Sequence, residues 1–184
     1  MIGSRRYTVA AFLIAFAVCA VDAASKALAV ATLTPHRSVI LLGGLITLHL
    51  YRNPGAAFGI GPSYTVIYAL IEAAVLVAIV RLSRRLRSWP WAIAFGLLLG
   101  GAAGNLADRL LRSPGPLRGF VIDWIKLPYF PPTFNLADSA ITIGAAMMVL
   151  ASARGWRLDG DTPRPDQTTQ QAAPGSDLPP PLNP

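Results

Sequence analysis

The sequence predicts an all-α integral membrane protein, with four transmembrane helices and a small extracytoplasmic β-sheet element. Three observations lead there. Of the 184 residues 53% are hydrophobic and only 14% charged, which disfavours both a disordered chain and an ordinary soluble enzyme. The apolar residues gather into four runs, each near the roughly 20 helical residues that cross a hydrocarbon core of about 30 Å. The arginines sit between those runs instead of being spread over a polar surface, which reads as membrane topology and not as a nucleic-acid-binding face.

The first run, 7–33, follows Arg5 and Arg6 and begins like a secretory signal, but its apolar character continues past Asp22 and Lys26, long enough to span with tilt. The second is 64–80, the third 91–111 and the fourth 134–152. Tyr64, Tyr68, Trp89 and Trp91 lie near span ends, as interfacial aromatic anchors do. Between the spans, segments 34–63 and 112–133 are too long to be turns. In the first, Ile46-Thr47-Leu48-His49-Leu50 alternates apolar and polar residues after Gly43-Gly44, the pattern of a half-buried strand. In the second, Phe120–Ile125 is rich in β-formers apart from Asp123, and Pro128-Tyr129-Phe130-Pro131-Pro132 is expected to stop any regular element. Residues 1–158 then form one membrane domain. Beyond it, 159–184 holds seven prolines in 26 residues and reads as a disordered cytoplasmic tail.

Lys and Arg set the orientation. Nine of them fall on the side shared by the two termini, four in the short loop Arg81–Ser88, against six on the other side. Both termini are therefore expected in the cytoplasm. Cys19, the one cysteine, lies inside an apolar run and reads as packing. No HExxH helix is present, and His36 and His49 are not at ligand spacing, so neither a metal nor another cofactor is expected.

Polar side chains inside spans are costly unless partnered, and each marks a candidate site. At about 1.5 Å per helical residue, Asp22, Asn105, Asp108 and Asp138 all fall in the outer third of the membrane, although they come from three different runs. A shared site near the outer surface accounts for them together. Asp22 and Lys26 are an i, i+4 pair that would neutralise each other; Asn105 and Asp108 share a helix face, and Arg109 is available to a carboxylate. Glu72 stands apart in the second run, expected either to pair with Lys26 or to stay protonated.

Two carboxylates that share a proton can hydrolyse an amide without a metal: one acts as general base on water while the other, protonated, polarises the carbonyl. Asp123, alone in an apolar strand-like segment, and Asp138, just inside the fourth helix, are candidates, since a reversal at Pro128–Pro132 could bring them together. A Ser/Lys hydrolase using Ser25 or Ser139 with Lys26 or Lys126 is one alternative. A small proton-coupled transporter is a second, although the polar groups cluster at one end instead of lining a path. A noncatalytic anchor displaying the tail is a third, and leaves both carboxylates without a role.

Five segments resemble, in order, the bacterial lipoprotein signal peptidases, or signal peptidase II, a family of membrane aspartyl proteases: Asp22-Ala-Ala-Ser-Lys26, Arg52-Asn-Pro-Gly-Ala-Ala-Phe58, Gly104-Asn-Leu-Ala-Asp-Arg109, Val121-Ile-Asp123-Trp-Ile125 and Phe134-Asn-Leu-Ala-Asp-Ser139. The resemblance covers roughly 7–154. It implies cleavage of a diacylglyceryl-modified prolipoprotein just before its lipid-bearing cysteine, by a monomer in the bacterial cytoplasmic membrane whose active site lies near the outer leaflet. It further implies Asp123 and Asp138 as the catalytic pair. Asn53, Asn105, Asp108, Arg109, Asn135 and Ala137 would be substrate-contacting or supporting positions, and Asp22 with Lys26 a structural or positioning pair. The segment from Gly43 to Ile60 would form a small sheet on the outer leaflet cradling the lipid-modified end of the substrate. Trp124 where Phe is usual, Gly59 where Ser is common, and Pro114-Gly115-Pro116 are departures that bear on rim shape.

Overall fold

The computed structural model describes residues 2–34, 37–55 and 65–160. Four helices, α1 (Ile2–Thr32), α2 (Thr65–Ser83), α3 (Trp89–Leu111) and α4 (Leu136–Ala153), are each long and apolar enough to cross a membrane. Four strands, β1 (Val39–Leu41), β2 (Ile46–Asn53), β3 (Val121–Leu127) and β4 (Phe130–Phe134), form one antiparallel sheet in the order β1-β2-β3-β4. Most helix ends lie within about three residues of the expected spans; α1 instead starts at Ile2, because a helix can continue past the hydrocarbon edge as a polar turn.

α3 is the central helix, with α1 and α4 packed on it over most of their length and α2 on a further side. Small residues permit this. A Cβ on Gly100 would lie 2.6 Å from Val18 Cβ, and one on Gly104 2.6 Å from Asp22 Oδ2, so only glycine lets α1 approach this closely. The outward faces are apolar: Phe16 is 75% exposed and Val149 70%, surfaces that lipid and not water covers. The chain is an integral membrane protein.

The sheet sits at the end of the bundle where α1 and α3 finish and α4 begins. Leu50 and Ile122 are buried against Ala29 of α1 and Leu33 just beyond its end, which fixes the sheet to the helices. The strand expected at Ile46–Leu50 is present within β2. The sheet is not confined to the first inter-span segment, however: half its strands come from the second, because β3 pairs with β2 through Asn53↔Val121 and Tyr51↔Asp123. The prolines also do not stop regular structure. β4 contains Pro131 and Pro132, which an edge strand tolerates, and the β3–β4 register slips between Ile125 and Leu127, opposite them. Residues 56–60 of the expected sheet, together with Tyr64, Gly59 and His36, lie outside the described residues.

At the opposite end, the chain after α4 folds back on the α2–α3 loop. Arg87 N–H donates to Leu158 O at 2.9 Å, and Trp91 Nε1 donates to Trp156 O at 2.8 Å. Asp159 and Gly160 belong to this turn, with Asp159 paired to Arg157 and Gly160 N–H donating to Arg157 O at 3.2 Å. Residues 161–184 lie outside the described residues.

Candidate active site

Asn135 organises the site. It is extended (φ −132°, ψ −176°) and caps α4: its side-chain Oδ1 accepts from Asp138 N–H at 2.9 Å, and Asp138 Oδ2 accepts from Asn135 N–H at 3.1 Å. The Asn135-Leu-Ala-Asp138 spacing is thus a capping box closed by Asp in place of Glu. Because Oδ1 is used in the cap, Nδ2 is free to turn away from the helix, and it donates to Asp123 Oδ1 at 2.7 Å. One residue therefore holds a carboxylate on β3 and another on α4.

Each carboxylate has a second amide donor. Asn53, at the end of β2, gives Nδ2 to Asp123 Oδ2 at 2.8 Å, and Asn105 on α3 gives Nδ2 to Asp138 Oδ1 at 2.8 Å. Asp123 is 1% exposed, and burial, reinforced by the Asp138 charge, raises its pKa from 3.8 to about 7 against the opposing pull of the Asn53 and Asn135 amides and of Lys26. Both aspartates line one groove of about 590 Å³ between the sheet and the helices, walled on the sheet side by Phe130 and Phe134. Such an arrangement presents two carboxyl groups, coupled through their charges, to whatever lies in the groove.

Of the ten residues that the sequence singles out, five line this groove: Asp123, Asp138, Asn53, Asn105 and Arg109. The other five lie behind it. Lys26, 1% exposed, is the hub: its Nζ is 2.7 Å from Asp22 Oδ2, 3.0 Å from Asp108 Oδ2 and 3.0 Å from Asn105 Oδ1. The expected Asp22–Lys26 pair is present, and Asp22 does more than neutralise, since its Oδ1 accepts from Ala137 N–H at 2.9 Å, one of the free donors of the first turn of α4. Ala137 is fully buried and small because α4 crosses Gly101 and Gly104 here. Asp108 accepts from Ile122 N–H at 3.1 Å and pairs with Arg112, tying α3 to β3.

Glu72 does not pair with Lys26. Its carboxylate meets Arg109 Nε at 3.1 and 3.2 Å, because α2 packs on α3, while Lys26 is already taken up by Asp22, Asp108 and Asn105. Tyr68, expected as an interfacial anchor, turns inward and lines the groove, with Arg109 Cζ 5.7 Å from its ring centre. Glu72, Tyr68 and Gly55, whose carbonyl accepts from Arg109 Nη2 at 3.1 Å, thus join the site although the sequence reading assigns none of them to it. The charged Glu in an apolar run and the place of Gly55 in the Arg52–Phe58 segment are the signals for them. The serines do not reach a lysine: Ser25 Oγ donates to Asp22 O and Ser139 Oγ to Asn135 O, while Lys126 is exposed on β3. Among the described residues no three His, Cys, Asp or Glu side chains form a group that could hold a metal.

The family described as Signal peptidase (SPase) II matches residues 14–154 of this chain. The chain is 48% identical over 158 residues to a lipoprotein signal peptidase of Streptomyces coelicolor, covering 86% of this chain and 76% of the relative. It is 41% identical over 168 residues to one of Mycolicibacterium smegmatis, covering 91% and 71%. Among solved structures, a bacterial membrane enzyme determined by the in meso method at 2.3 Å resolution superposes with a TM-score of 0.70 at 30% identity, covering 78% of this chain and 87% of that one. With a match over most of its length, the chain belongs to the signal peptidase II family.

Proposed function

We propose that this protein is a membrane-embedded aspartyl endopeptidase that removes the signal peptide from diacylglyceryl-modified prolipoproteins by hydrolysis just before the lipid-bearing cysteine. The observation that carries the reading is the Asp123–Asn135–Asp138 bridge, which sets two carboxylates on one groove. Below pH about 7 the buried Asp123 holds the shared proton. Asp138 then takes a proton from water as the water oxygen attacks the scissile carbonyl, while Asp123 donates a hydrogen bond to the developing oxyanion. Collapse breaks the C–N bond, and the proton passes to the leaving cysteine amine. The products are a signal peptide with a new carboxylate and a lipoprotein with a free cysteine amine.

The remaining assignments belong to the same proposal. The arginine bias supports both termini in the cytoplasm of a bacterium, which puts the sheet and groove at the outer leaflet, where a lipid-modified cysteine is held. Asn53, Asn105 and Arg109 act on the substrate or on the carboxylates from within the groove; Asp22, Lys26, Asp108, Asn135 and Ala137 support them from behind. The membrane domain works as a monomer in contact with lipid, and the tail beyond it takes no part in catalysis. The test is direct: Asp123→Asn and Asp138→Asn fold and insert but lose at least about a hundredfold in turnover of a diacylglyceryl-prolipoprotein, the usual loss when a general acid or base is removed. Ser139→Ala keeps turnover. Full activity in either Asp variant refutes the reading.

A further inference from the structure

Glu72 is a buried acid that the reaction above does not use. It lies in α2, with its side chain 17% exposed, and both of its oxygens engage Arg109 Nε, at 3.1 and 3.2 Å. Tyr68, one helical turn earlier on the same face, places its ring beside the same guanidinium. Arg109 itself is 4% exposed. Its Nη2 donates to Gly55 O, Gly55 N–H donates to Asn53 Oδ1 at 2.9 Å, and Asn53 Nδ2 donates to Asp123. A continuous chain of contacts thus runs from α2 to the Asp123 carboxylate. Arg109 Nη1 is buried and has no hydrogen-bond partner among the described residues, on a side chain that lines the groove.

We infer that Glu72 is a positioning residue that locks the Arg109 guanidinium so that Nη2 secures the Asn53–Gly55 turn and Nη1 is presented to a neutral carbonyl oxygen of the substrate. The inference rests on the proposed peptidase reading and adds a residue and a ligand class to it. The chemistry follows from charge and geometry. A guanidinium is planar, so fixing Nε and Nη2 leaves Nη1 one direction in which to point. An unsatisfied buried N–H is costly, which favours whatever acceptor fills that place. The acceptor is a carbonyl and not an anion, because Glu72 cancels the Arg109 charge, and the Asp123 and Asp138 carboxyl groups that line the same groove repel a further negative group. Peptide and ester carbonyls of a diacylglyceryl-peptide meet that requirement.

The test is a double-mutant cycle read as affinity for an uncleaved diacylglyceryl-prolipoprotein, using the full chain in detergent micelles in an Asp138→Asn background. Glu72→Ala is expected to weaken binding about tenfold, the value of one charge-assisted hydrogen bond. Glu72→Gln, which keeps an oxygen for Nε, recovers part of the loss. In an Arg109→Ala background neither Glu72 variant changes affinity by more than about twofold, because Glu72 acts only through that side chain. Unchanged binding by folded Glu72→Ala overturns the inference, as does the same loss with and without the Arg109 side chain. If Glu72→Ala does not accumulate, Glu72→Gln carries the same cycle. Failure of the dyad reading shows separately, as turnover retained by Asp138→Asn.

Discussion

Asn135 Nδ2 lies 2.7 Å from Asp123 Oδ1, on a residue whose backbone N–H is committed to Asp138. Two acids 15 positions apart in the chain therefore share one positioning residue, and its replacement touches the helix cap and the site together. Asn135→Ala is expected to lower melting stability by about 1 kcal/mol through the lost cap. It also removes an amide that stabilises the ionised Asp123, so the alkaline limb of kcat/KM moves to higher pH. A pH–rate profile of the purified variant checks the second effect, which the first does not produce.

The raised pKa of Asp123 has a consequence for stability. Between pH 3.8 and about 7 the folded protein keeps a proton that the unfolded chain releases, so this group's contribution to stability falls as pH rises through that window. Asp123→Asn has no such term. Its melting temperature relative to wild type should therefore climb from pH 4 to about 7 and then level off, whatever constant offset the new amide introduces. A difference that is flat with pH would contradict the burial argument.

Gly104→Ala should be among the most damaging single-methyl changes in the helices. The added Cβ would stand 2.6 Å from Asp22 Oδ2, on the carboxylate that holds Lys26 and the first turn of α4. Overpacking of this kind costs about 1–3 kcal/mol. Thermal unfolding in detergent measures it, and activity should fall with it, since Lys26 also positions Asn105 behind Asp138.

Cleavage proceeds through two carboxyl groups and water in this proposal, so millimolar EDTA should leave the rate within about twofold of the untreated enzyme. Strong inhibition restored by a divalent ion would require a different mechanism.

Deleting 161–184 should leave turnover within about twofold, whereas a cut before Leu158 should lower stability by about 1–3 kcal/mol. The difference arises because Leu158 packs into the core and accepts from Arg87 N–H, so the earlier cut removes part of the fold.

Much of this architecture is legible in the sequence. Four apolar runs become four helices because a hydrocarbon solvent forces every backbone group to be satisfied within its own segment, and this makes helix a local property of the sequence. The strand at Ile46–Leu50 was readable from alternation, and the two aspartates from their cost in apolar surroundings. Pairings between elements were not. Nothing in the order of residues says that β3 lies beside β2, that Pro131 and Pro132 fall opposite a register slip, or that Glu72 faces Arg109 and not Lys26. These depend on how each helix packs on α3, where glycines let α1 and α4 close in. The spans and the chemical character of the polar residues follow from the chain alone, because both are set by hydration energies of individual side chains. Which of those residues meet in the groove and which hold it from behind follows from packing, because hydrogen bonds need partners within about 3 Å and that distance exists only once the helices and sheet have come together.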